Sequence, residues 1–276
     1  MTSTAPTGSP VPRRPRPLRT TLLVVGSVLL SLVLVLAVGQ TVAAFDRTDH
    51  SRTAAVDGTV ERVTVDGTSA DVSVEYADVE RARIVFDAGD TGLREEHSLS
   101  GGTLDVRLDR PGWGLFGFTV GFVRGASVTV QLPRSGSDAA VALDLRSTSG
   151  DVRAAGSFGD VTLTSTAGEV ALSGSAHDLT LRSSAGDLSA QDVAVQGALH
   201  AKSAAGEVEL DLATAPTSMT VDTSAGDQLV RLPAGDYAIT AESTVGDVTN
   251  DLGDDRDADR SYRFTATAGD VTVQQR

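Results

Sequence analysis

A short motif recurs at nearly fixed intervals through the C-terminal half of the chain: a glycine, an acidic residue and usually Val or Leu. Successive motif glycines are 18, 18, 20, 20, 20 and 23 residues apart. The seven glycines are Gly150, Gly168, Gly186, Gly206, Gly226, Gly246 and Gly269. A period of about 20 residues is typical of solenoids, in which each repeat is one supersecondary unit. This motif constrains the fold more than any other feature of the sequence.

Each period contains two short runs of alternating apolar residues. Before Gly186 the apolar residues are odd-numbered, as at Leu179 and Leu181, whereas Leu188 after it is even-numbered. A continuous strand keeps one parity on one face, so the change of parity predicts a bend between two strands at the glycine. Glycine suits a bend because positive φ costs it little. The acid that follows can accept a hydrogen bond from a nearby backbone amide.

A coil of two short strands cannot bury its apolar face alone, so neighbouring coils are expected to stack. Parallel pairing about 4.8 Å apart would give the stack one inner core of Val and Leu. Aromatic residues make up only 4% of the chain, and Val and Thr favour pleated sheets. We expect an all-β fold, a single-handed β-solenoid of stacked 18–20-residue two-strand coils, preceded by one N-terminal transmembrane helix.

The first 45 residues differ from the rest in charge and hydropathy. They contain four arginines and no acid. Residues 1–20 are predicted to be a disordered basic tail. Residues 21–45 are uncharged and mostly apolar. A helix of this length is long enough to cross about 30 Å of hydrocarbon. Because arginines precede this segment and acids follow it, the tail is expected in the cytoplasm and the C-terminal domain outside the cell.

The apolar segment could instead be a cleaved signal peptide. Val42-Ala43-Ala44 resembles a small-residue cleavage site, but the apolar run exceeds the about 7–15 residues of a signal h-region. We therefore favour an uncleaved signal anchor in the cell membrane. A linker over 46–55 would join it to an extracellular solenoid domain over 56–276, with irregular coils or a cap over 56–134 and the Gly-Asp repeats over 135–276.

The region before the repeats alternates apolar and polar residues without the regular motif. Its five runs cover residues 59–65, 70–76, 81–86, 103–108 and 127–132. Solenoids need atypical ends that shield the open core, and this region could form one while the charged run Asp251–Arg260 closes the other. An aromatic segment interrupts the region, and its members are Trp113, Phe116, Phe118 and Phe122. This segment is expected either to plug the core or to be a loop that contacts lipid headgroups or a partner protein.

The repeated acids raise the question of cation binding. After residue 45 the chain has 19 basic against 37 acidic side chains, which argues against nucleic acid as a partner. If they stack on successive coils, Asp187, Glu207, Asp227 and Asp247 could bind Ca²⁺, which takes carboxylate oxygens. Each bend offers a single acid, however, whereas calcium β-rolls use a nine-residue repeat rich in glycine and aspartate. We expect a structural role and no cofactor, with Ca²⁺ as the alternative.

Motifs of common catalytic sites are missing from the sequence. It has no G-x-S-x-G, no phosphate-binding G-x-x-x-x-G-K and no H-E-x-x-H, its four histidines are dispersed, and it has no cysteine. We predict no catalytic residue and expect the protein not to be an enzyme. A polysaccharide-active enzyme on a β-helix is a remote alternative that rests on fold analogy alone.

The phrase S/T-x-G-D/E-V at 18–20-residue spacing follows a strand, Val128-Thr129-Val130-Gln131-Leu132-Pro133. Together they resemble a bacterial β-strand-repeat family of unknown function labelled "putative adhesin" and related to toastrack-type domains. The resemblance extends from about Val56 to Val273. It implies a β-solenoid at the cell surface, adhesion or envelope-stress sensing, and no catalytic or binding residues to carry over. Arg in excess of Lys, with abundant Ala, Gly and Asp, is typical of a high-GC actinobacterium.

Two functions therefore remain open at this stage. In the first, the chain is a membrane-anchored, adhesin-like interaction module whose outer domain binds a partner protein or a cell-wall polysaccharide. In the second, it is a sensory or regulatory subunit of an envelope-stress response, and its basic tail contacts a partner inside the cell. The Pro and Arg run over residues 12–19 is compatible with both, because it can also serve only to orient the membrane segment.

Overall fold

β-Strands joined by turns and bends form the described part of the computed structural model, which comprises residues 52–89, 91–109, 125–134 and 140–276. These residues contain no α-helix. The first seven strands are β1 (Arg52–Ala55), β2 (Arg62–Asp66), β3 (Ala70–Ala77), β4 (Arg83–Asp87), β5 (Arg94–Ser100), β6 (Thr103–Asp109) and β7 (Ala126–Pro133). The all-β prediction is confirmed.

Fourteen further strands follow in the repeat region. They are β8 (Ala142–Ser147), β9 (Val152–Ser157), β10 (Val161–Ala167), β11 (Val170–Ala176), β12 (Leu179–Ala185), β13 (Leu188–Val195), β14 (Ala198–Ala205), β15 (Val208–Thr214), β16 (Ser218–Ala225), β17 (Gln228–Leu232), β18 (Ala238–Val245), β19 (Val248–Asn250), β20 (Ser261–Ala268) and β21 (Val271–Gln275). Their lengths of three to eight residues suit a period of about 20 with two bends.

The strands lie in two sheets, and each coil contributes one strand to each sheet. Sheet A has the order β1-β4-β7-β3-β9-β11-β13-β15-β17-β21-β19, and sheet B has the order β18-β20-β16-β14-β12-β10-β8-β2-β6-β5. Within the repeats all pairing is parallel, and Leu179 of β12 pairs with Leu199 of β14. The register shifts where β13 pairs with β11 and with β15. The predicted stack of two-strand coils is therefore confirmed.

The core lies between the two sheets and is built by strand alternation. In β10, Val161 and Leu163 are buried while Thr162 and Thr164 are only partly so. The matching residues of β11, Val170 and Leu172, belong to the same apolar cluster. Burial of a Leu or Val side chain contributes about 1.5–3 kcal/mol to folding, so each coil is stabilised chiefly by the coils on either side of it.

The stacking order departs from the chain order at the C-terminal end. Ser261 of β20 pairs with Ser218 of β16 on one side and with Ala238 of β18 on the other. The coil β20–β21 therefore lies between the coil β16–β17 and the outermost coil β18–β19. The larger core residues are on the inserted coil, where Tyr262 and Phe264 are at most 1% exposed. The charged run Asp251–Arg260 joins the outer coil to the inserted one.

The other end of the stack combines two coils with an antiparallel cap. The coil β2–β3 lies between the coil β6–β7 and the coil β8–β9. Beyond β6–β7, β4 pairs antiparallel with β7, β1 pairs antiparallel with β4, and β5 pairs antiparallel with β6. The described residues between 56 and 134 thus contain both parallel coils and antiparallel strands.

Two strands in this region differ from the sequence prediction. β1 lies inside the segment predicted as a linker, residues 46–55, because its backbone pairs with β4. β5 was not among the predicted runs, since Arg94-Glu95-Glu96-His97-Ser98 shows no apolar alternation. β5 is a strand because it pairs with β6, whose Leu104, Val106 and Leu108 are buried. The sequence of β5 alone does not predict this.

Three predicted segments lie outside the described residues: the tail over 1–20, the helix over 21–45 and the aromatic segment with Trp113, Phe116, Phe118 and Phe122. Within the residues that are described, none forms a helix of the length and apolar character needed to cross a bilayer. The aromatic segment separates β6 from β7 in the chain, at the position where the repeat coils have a two-residue bend.

Candidate functional site

The seven motif glycines form a line along one edge of the stack, where the chain passes from sheet B to sheet A. Six of them have φ between +133° and +148°. A Cβ added at Gly186 would lie 2.2 Å from the carbonyl oxygen of Gly168, and one at Gly150 would lie 2.3 Å from that of Ala70. Any side chain larger than hydrogen would therefore collide with the backbone of the preceding coil.

The acids after the glycines join successive coils, and we call their line the acidic ladder. The backbone amide of Glu207 donates to Oδ1 of Asp187 at 2.8 Å. The amide of Asp270 donates to Asp227 at 2.8 Å, and the amide of Asp247 donates to Asp270 at 2.8 Å. The predicted bond from acid to amide is present, but the amide belongs to the next coil rather than to the same turn.

Aspartate and glutamate differ in this ladder. Among the described residues no backbone amide donates to the Glu169 carboxylate. This carboxylate instead pairs with Arg153 at 2.7 Å. The amide of Glu169 donates to Oδ1 of Asp151 at 2.9 Å. The glutamate side chain is one methylene longer, so its oxygens extend past the amide of the next coil. Aspartate therefore connects coils, while Glu169 uses its carboxylate at the surface.

The structure places the four predicted calcium ligands in a different order from the chain. Along the stack the acids run Asp187, Glu207, Asp227, Asp270 and Asp247, because the inserted coil separates Asp227 from Asp247. Asp187 and Asp227 each already accept a backbone amide. The sequence did not reveal this order, because the spacing of 20 residues before Gly246 is the same as in the regular coils.

A row of hydroxyl side chains lies inside the same bends, three residues before six of the seven glycines. Ser165 Oγ donates to the carbonyl of Gly150 at 2.9 Å, and Ser243 Oγ donates to that of Gly269 at 2.8 Å. These two side chains satisfy carbonyl groups that the bend leaves without a strand partner. In the described part of the chain the hydroxyls of Ser183 and Ser203 are buried without a hydrogen-bond partner. The constant three-residue offset of Ser or Thr from the glycine is the sequence signal for this row.

One member of this row is replaced, and a buried amide compensates. Ala266 stands where the other coils have a hydroxyl. At the adjacent position Gln228 is 1% exposed, and its Nε2 donates to Thr223 Oγ1 at 3.0 Å and to the Thr265 carbonyl at 2.8 Å. The Nε2 of this glutamine, which stands where other coils have Val or Leu, is thus satisfied by polar groups around the bend, while its Oε1 has no partner among the described residues.

The opposite edge of the stack carries a small polar cluster that the sequence analysis missed. Asp160, His177 and Asp178 have their ligand atoms within 4.8 Å of one another, and all three are exposed. Among the described residues this is the one such group of three. Asp178 Oδ1 also accepts the amide of Ala198 at 2.8 Å. The 18-residue separation of Asp160 and Asp178, equal to one period, was the available signal.

An ion pair links the two sheets at the capped end. The Glu95 side chain is completely buried, and Arg52 Nε donates to its Oε2 at 2.6 Å. His97 Nδ1 lies 2.8 Å from Oε1 of the same carboxylate. Arg52 is on β1, an edge strand of sheet A, and Glu95 is on β5, an edge strand of sheet B. Their ion pair therefore closes this end of the core. The sequence analysis did not identify it, since the partners are 43 residues apart.

Solved structures that are similar to this chain come from bacterial proteins of low sequence identity. A "putative adhesin" from Bacteroides fragilis NCTC 9343 has a TM-score of 0.52 and 13% identity, over 84% of this chain and 98% of that one. A "putative adhesin" from Parabacteroides merdae ATCC 43184 has a TM-score of 0.39 and 13% identity, over 84% and 97%. A "putative lipid binding protein" from Parabacteroides distasonis ATCC 8503 has a TM-score of 0.35 and 12% identity, over 84% and 98%.

Comparison with curated proteins gives no significant match. The likeness to the Bacteroides fragilis structure supports the fold alone, because the identity is low. Residues 143–275 match the family described as Toastrack DUF4097. This match begins in β8 and ends in β21, and it therefore includes all seven bends of the acidic ladder. We therefore identify residues 143–275 as a Toastrack DUF4097 domain.

Proposed function

We propose that the chain is a membrane-anchored, cell-surface β-repeat protein whose solenoid acts as an adhesin-like or envelope interaction module. The main support is the use of the repeated polar residues. The glycines permit close stacking, aspartates such as Asp187 accept an amide of the next coil, and hydroxyls such as that of Ser165 donate to a bend carbonyl. The motif therefore builds a scaffold, and binding is left to the exposed faces of the two sheets.

The proposal includes the absence of catalysis. An active site needs groups held at defined positions around a reacting atom. Several of the repeated aspartates and hydroxyls of this domain, such as Asp270 and Ser243, instead bond to backbone groups of neighbouring coils. A scaffold with this distribution of polar groups suits binding along an extended surface, as other stacked-repeat proteins provide. The resemblance of the fold to a Bacteroides fragilis protein described as an adhesin agrees with this use.

The proposed anchor is the apolar segment over residues 21–45, which would cross the cell membrane once. The basic tail would then lie in the cytoplasm and the solenoid outside the cell, in accordance with the distribution of positive charge. Partners of the solenoid would be envelope proteins or cell-wall polysaccharides. The acidic character of the chain, with a formal net charge of −14, makes nucleic acid an unsuitable ligand.

A second candidate function follows from the basic tail. A run of Pro and Arg over residues 12–19 precedes the apolar segment. In a sensory or regulatory subunit of an envelope-stress response, this tail would contact a cytoplasmic partner while the solenoid responds to the state of the envelope. The two functions differ in the side of the membrane on which the principal partner is found.

Photo-crosslinking in living cells distinguishes the two functions. A photoreactive residue at Arg182, exposed on the outer face of sheet B, samples partners of the solenoid. The same residue at Thr7 samples partners of the tail. Adducts with envelope proteins or wall polysaccharide at position 182 are expected. Adducts confined to Thr7 and a cytoplasmic protein would favour the regulatory function, and a lack of adducts at all exposed positions would contradict both.

A further inference from the structure

The C-terminal end of the stack has an open edge. The outer edges of β18 and β19 have no partner strand among the described residues. The charged run covers only the beginning of β18. There, Asp254 Oδ1 accepts the amide of Ile239 at 3.1 Å, and the amide of Asp255 donates to the Tyr237 carbonyl at 2.9 Å. The edge from residue 240 to residue 250 is left uncovered, and we call it the terminal edge.

The terminal edge carries the two large hydrophobic side chains that are exposed in the described part of the chain. Val245 is 67% exposed and Val248 is 43% exposed. Val248 occupies a core position, since its partner Val271 on the next coil is fully buried. Its exposure shows that the core is open at this end. One more strand stacked on sheet A would cover it.

Val245 differs from the residues at the same place in the other coils. Its row contains alanine in the neighbouring coils, at Ala268, Ala225 and Ala205. All of these alanines are exposed at the bend. A larger apolar side chain therefore appears at the one bend that has no further coil beyond it. Scattered exposed apolar residues need no explanation, but two on one open edge favour an interaction site.

The hydrogen-bond pattern at this bend is also incomplete. Inside the stack, a motif aspartate such as Asp270 accepts the amide of the next coil, and the preceding glycine carbonyl accepts a hydroxyl from it. Asp247 and the carbonyl of Gly246 occupy the same positions on the outermost coil. No described residue donates to the Asp247 carboxylate or to the Gly246 carbonyl. The terminal edge thus offers two acceptors that match an incoming extended strand.

The charge of this end indicates the chemistry of the partner. Residues 238–260 contain seven carboxylates and two guanidinium groups. Two of the acids, Glu242 and Asp247, lie on the terminal edge itself and are exposed. Charged surfaces favour partners of the opposite sign and reject those of the same sign. A second copy of this chain would bring two acidic ends together, whereas a basic segment would be attracted.

We propose that the terminal edge binds an extended, basic segment of a partner protein, which adds to the stack as a further strand. Backbone groups of the segment pair with β18 or β19, its apolar side chains cover Val248 and Val245, and its Lys or Arg side chains lie beside Glu242 and Asp247. Strand addition of this kind takes affinity from the backbone and specificity from alternate side chains. This inference rests on the proposed function as an interaction module and identifies its docking position.

A peptide-binding experiment tests the proposal on the full-length protein in detergent. The probes are two fluorescein-labelled eight-residue peptides, one of alternating Lys and Val and one of alternating Glu and Val. The Lys peptide is expected to bind, more weakly as salt is raised, and the Glu peptide is not. Replacing both valines, by Val245→Ala and Val248→Thr, is expected to weaken the binding of the Lys peptide by about tenfold or more.

The matched control is Ala205→Thr, which changes the same bend position in the middle of the stack. Its affinity for the Lys peptide should equal that of the wild type. Equal binding by the double variant, or equal binding of the Glu peptide, would overturn the proposal. Sedimentation velocity on the same samples detects self-association. A dimer that is lost in the double variant would identify a second copy as the occupant and would also overturn the proposal.

A cellular experiment separates failure of this inference from failure of the proposed function. A photoreactive residue is placed at Val245, at Ala205 and at Arg182 in turn. A basic protein captured at position 245 but not at position 205 supports the inference. Envelope adducts at position 182 without adducts at 245 leave the proposed function in place and contradict the inference. An absence of adducts at all three positions contradicts the proposed function itself.

Discussion

At the scale of single residues, the glycine and the acid of each motif have different roles at the same bend. The glycine is needed because the neighbouring coil leaves no space for a Cβ, as at Gly186 and Gly168. The aspartate is needed because an amide of the next coil has no other acceptor, as at Asp187 and Glu207. Replacement of either residue should therefore lower the free energy of unfolding, and the two effects can be measured separately.

Gly186→Ala is expected to lower the free energy of unfolding by about 2–5 kcal/mol. Both a strained φ of +144° and a contact of 2.2 Å with the Gly168 carbonyl oppose the added methyl group. Thermal unfolding followed by circular dichroism should show a clear fall in Tm. Gly125→Ala is the matched control, because nothing lies within 4 Å of its added Cβ. Similar Tm values for the two variants would contradict the explanation.

Asp187→Ala is expected to destabilise the fold by about 1 kcal/mol, because the Glu207 amide loses its acceptor. Asp187→Asn keeps an oxygen at the same place and should stay within about 0.5 kcal/mol of the wild type. Hydrogen exchange of the Glu207 amide provides a local measurement. The exchange should be faster in the alanine variant and little changed in the asparagine variant. Equal exchange in both would show that the carboxylate does not hold this amide.

At the scale of elements, the regular coils were predictable and the ends were not. Parity at Leu181 and Leu188 predicted both strands of a coil and the bend between them, because the strand period is two and one face is buried. The order of the last coils depends on the packing energy gained by burying Tyr262 and Phe264, compared with that gained by burying the residues of β18 and β19 in the same place. The strand β5 depends on its pairing with β6. Sequence periodicity carries neither kind of information.

Two deletions test the inserted position of coil β20–β21. Removal of residues 238–260 takes away the outermost coil and joins residue 237 directly to β20. The pairing of β20 with β16 is unchanged by this deletion. Removal of residues 261–276 is shorter but takes away Tyr262, Phe264 and Val271, which are at most 1% exposed. The second variant should therefore melt at least about 5 °C below the first. The opposite order of Tm values would contradict the observed stacking.

The buried phenol of Tyr262 predicts a loss of stability at alkaline pH. Its hydroxyl donates to the Pro216 carbonyl at 2.8 Å, and its ring stacks on Tyr237 at 5.1 Å. Burial raises the pKa of Tyr262 well above its usual value. The unfolded chain loses this proton near pH 10 while the folded chain retains it, so the contribution is present below about pH 10 and is lost as the pH rises further.

Tyr262→Phe removes this titration along with one hydrogen bond. The variant should be about 1 kcal/mol less stable than the wild type at pH 8. The difference should become smaller at pH 11, because only the wild type is penalised by phenol ionisation. Urea unfolding at several pH values measures this change. A constant difference across the range would show that Tyr262 ionises as easily in the folded chain as in the unfolded one.

At the scale of the whole molecule, the proposed function depends on which side of the membrane the solenoid occupies. The chain has no cysteine, so a single introduced cysteine reports its own position without interference. Ala185 is exposed at a bend, and Leu181 of the same strand is fully buried. These two sites differ in accessibility within one element. They therefore allow the orientation of the domain and its folding to be measured together.

In intact cells, Ala185→Cys is expected to react with a membrane-impermeant maleimide. Ser3→Cys, in the basic tail, should react only after the membrane is permeabilised. Leu181→Cys should remain unlabelled until the protein is denatured, which controls for folding. Labelling of Ser3→Cys in intact cells, with protection of Ala185→Cys, would reverse the proposed orientation and place the solenoid in the cytoplasm.

The inserted coil also has a consequence for how the chain is made. As synthesis proceeds from the N-terminus, β18 and β19 are produced before β20 and β21, and at that moment the edge of β16–β17 is still free. That edge could pair in parallel with β18 and β19 as soon as they are made. In the finished molecule it pairs instead with β20 and β21, which have not yet been made at that moment. Growth by adding coils in order of synthesis would therefore trap a wrong neighbour. The coils β16–β17 and β18–β19 can therefore reach their final neighbours only after residues 261–275 have been made.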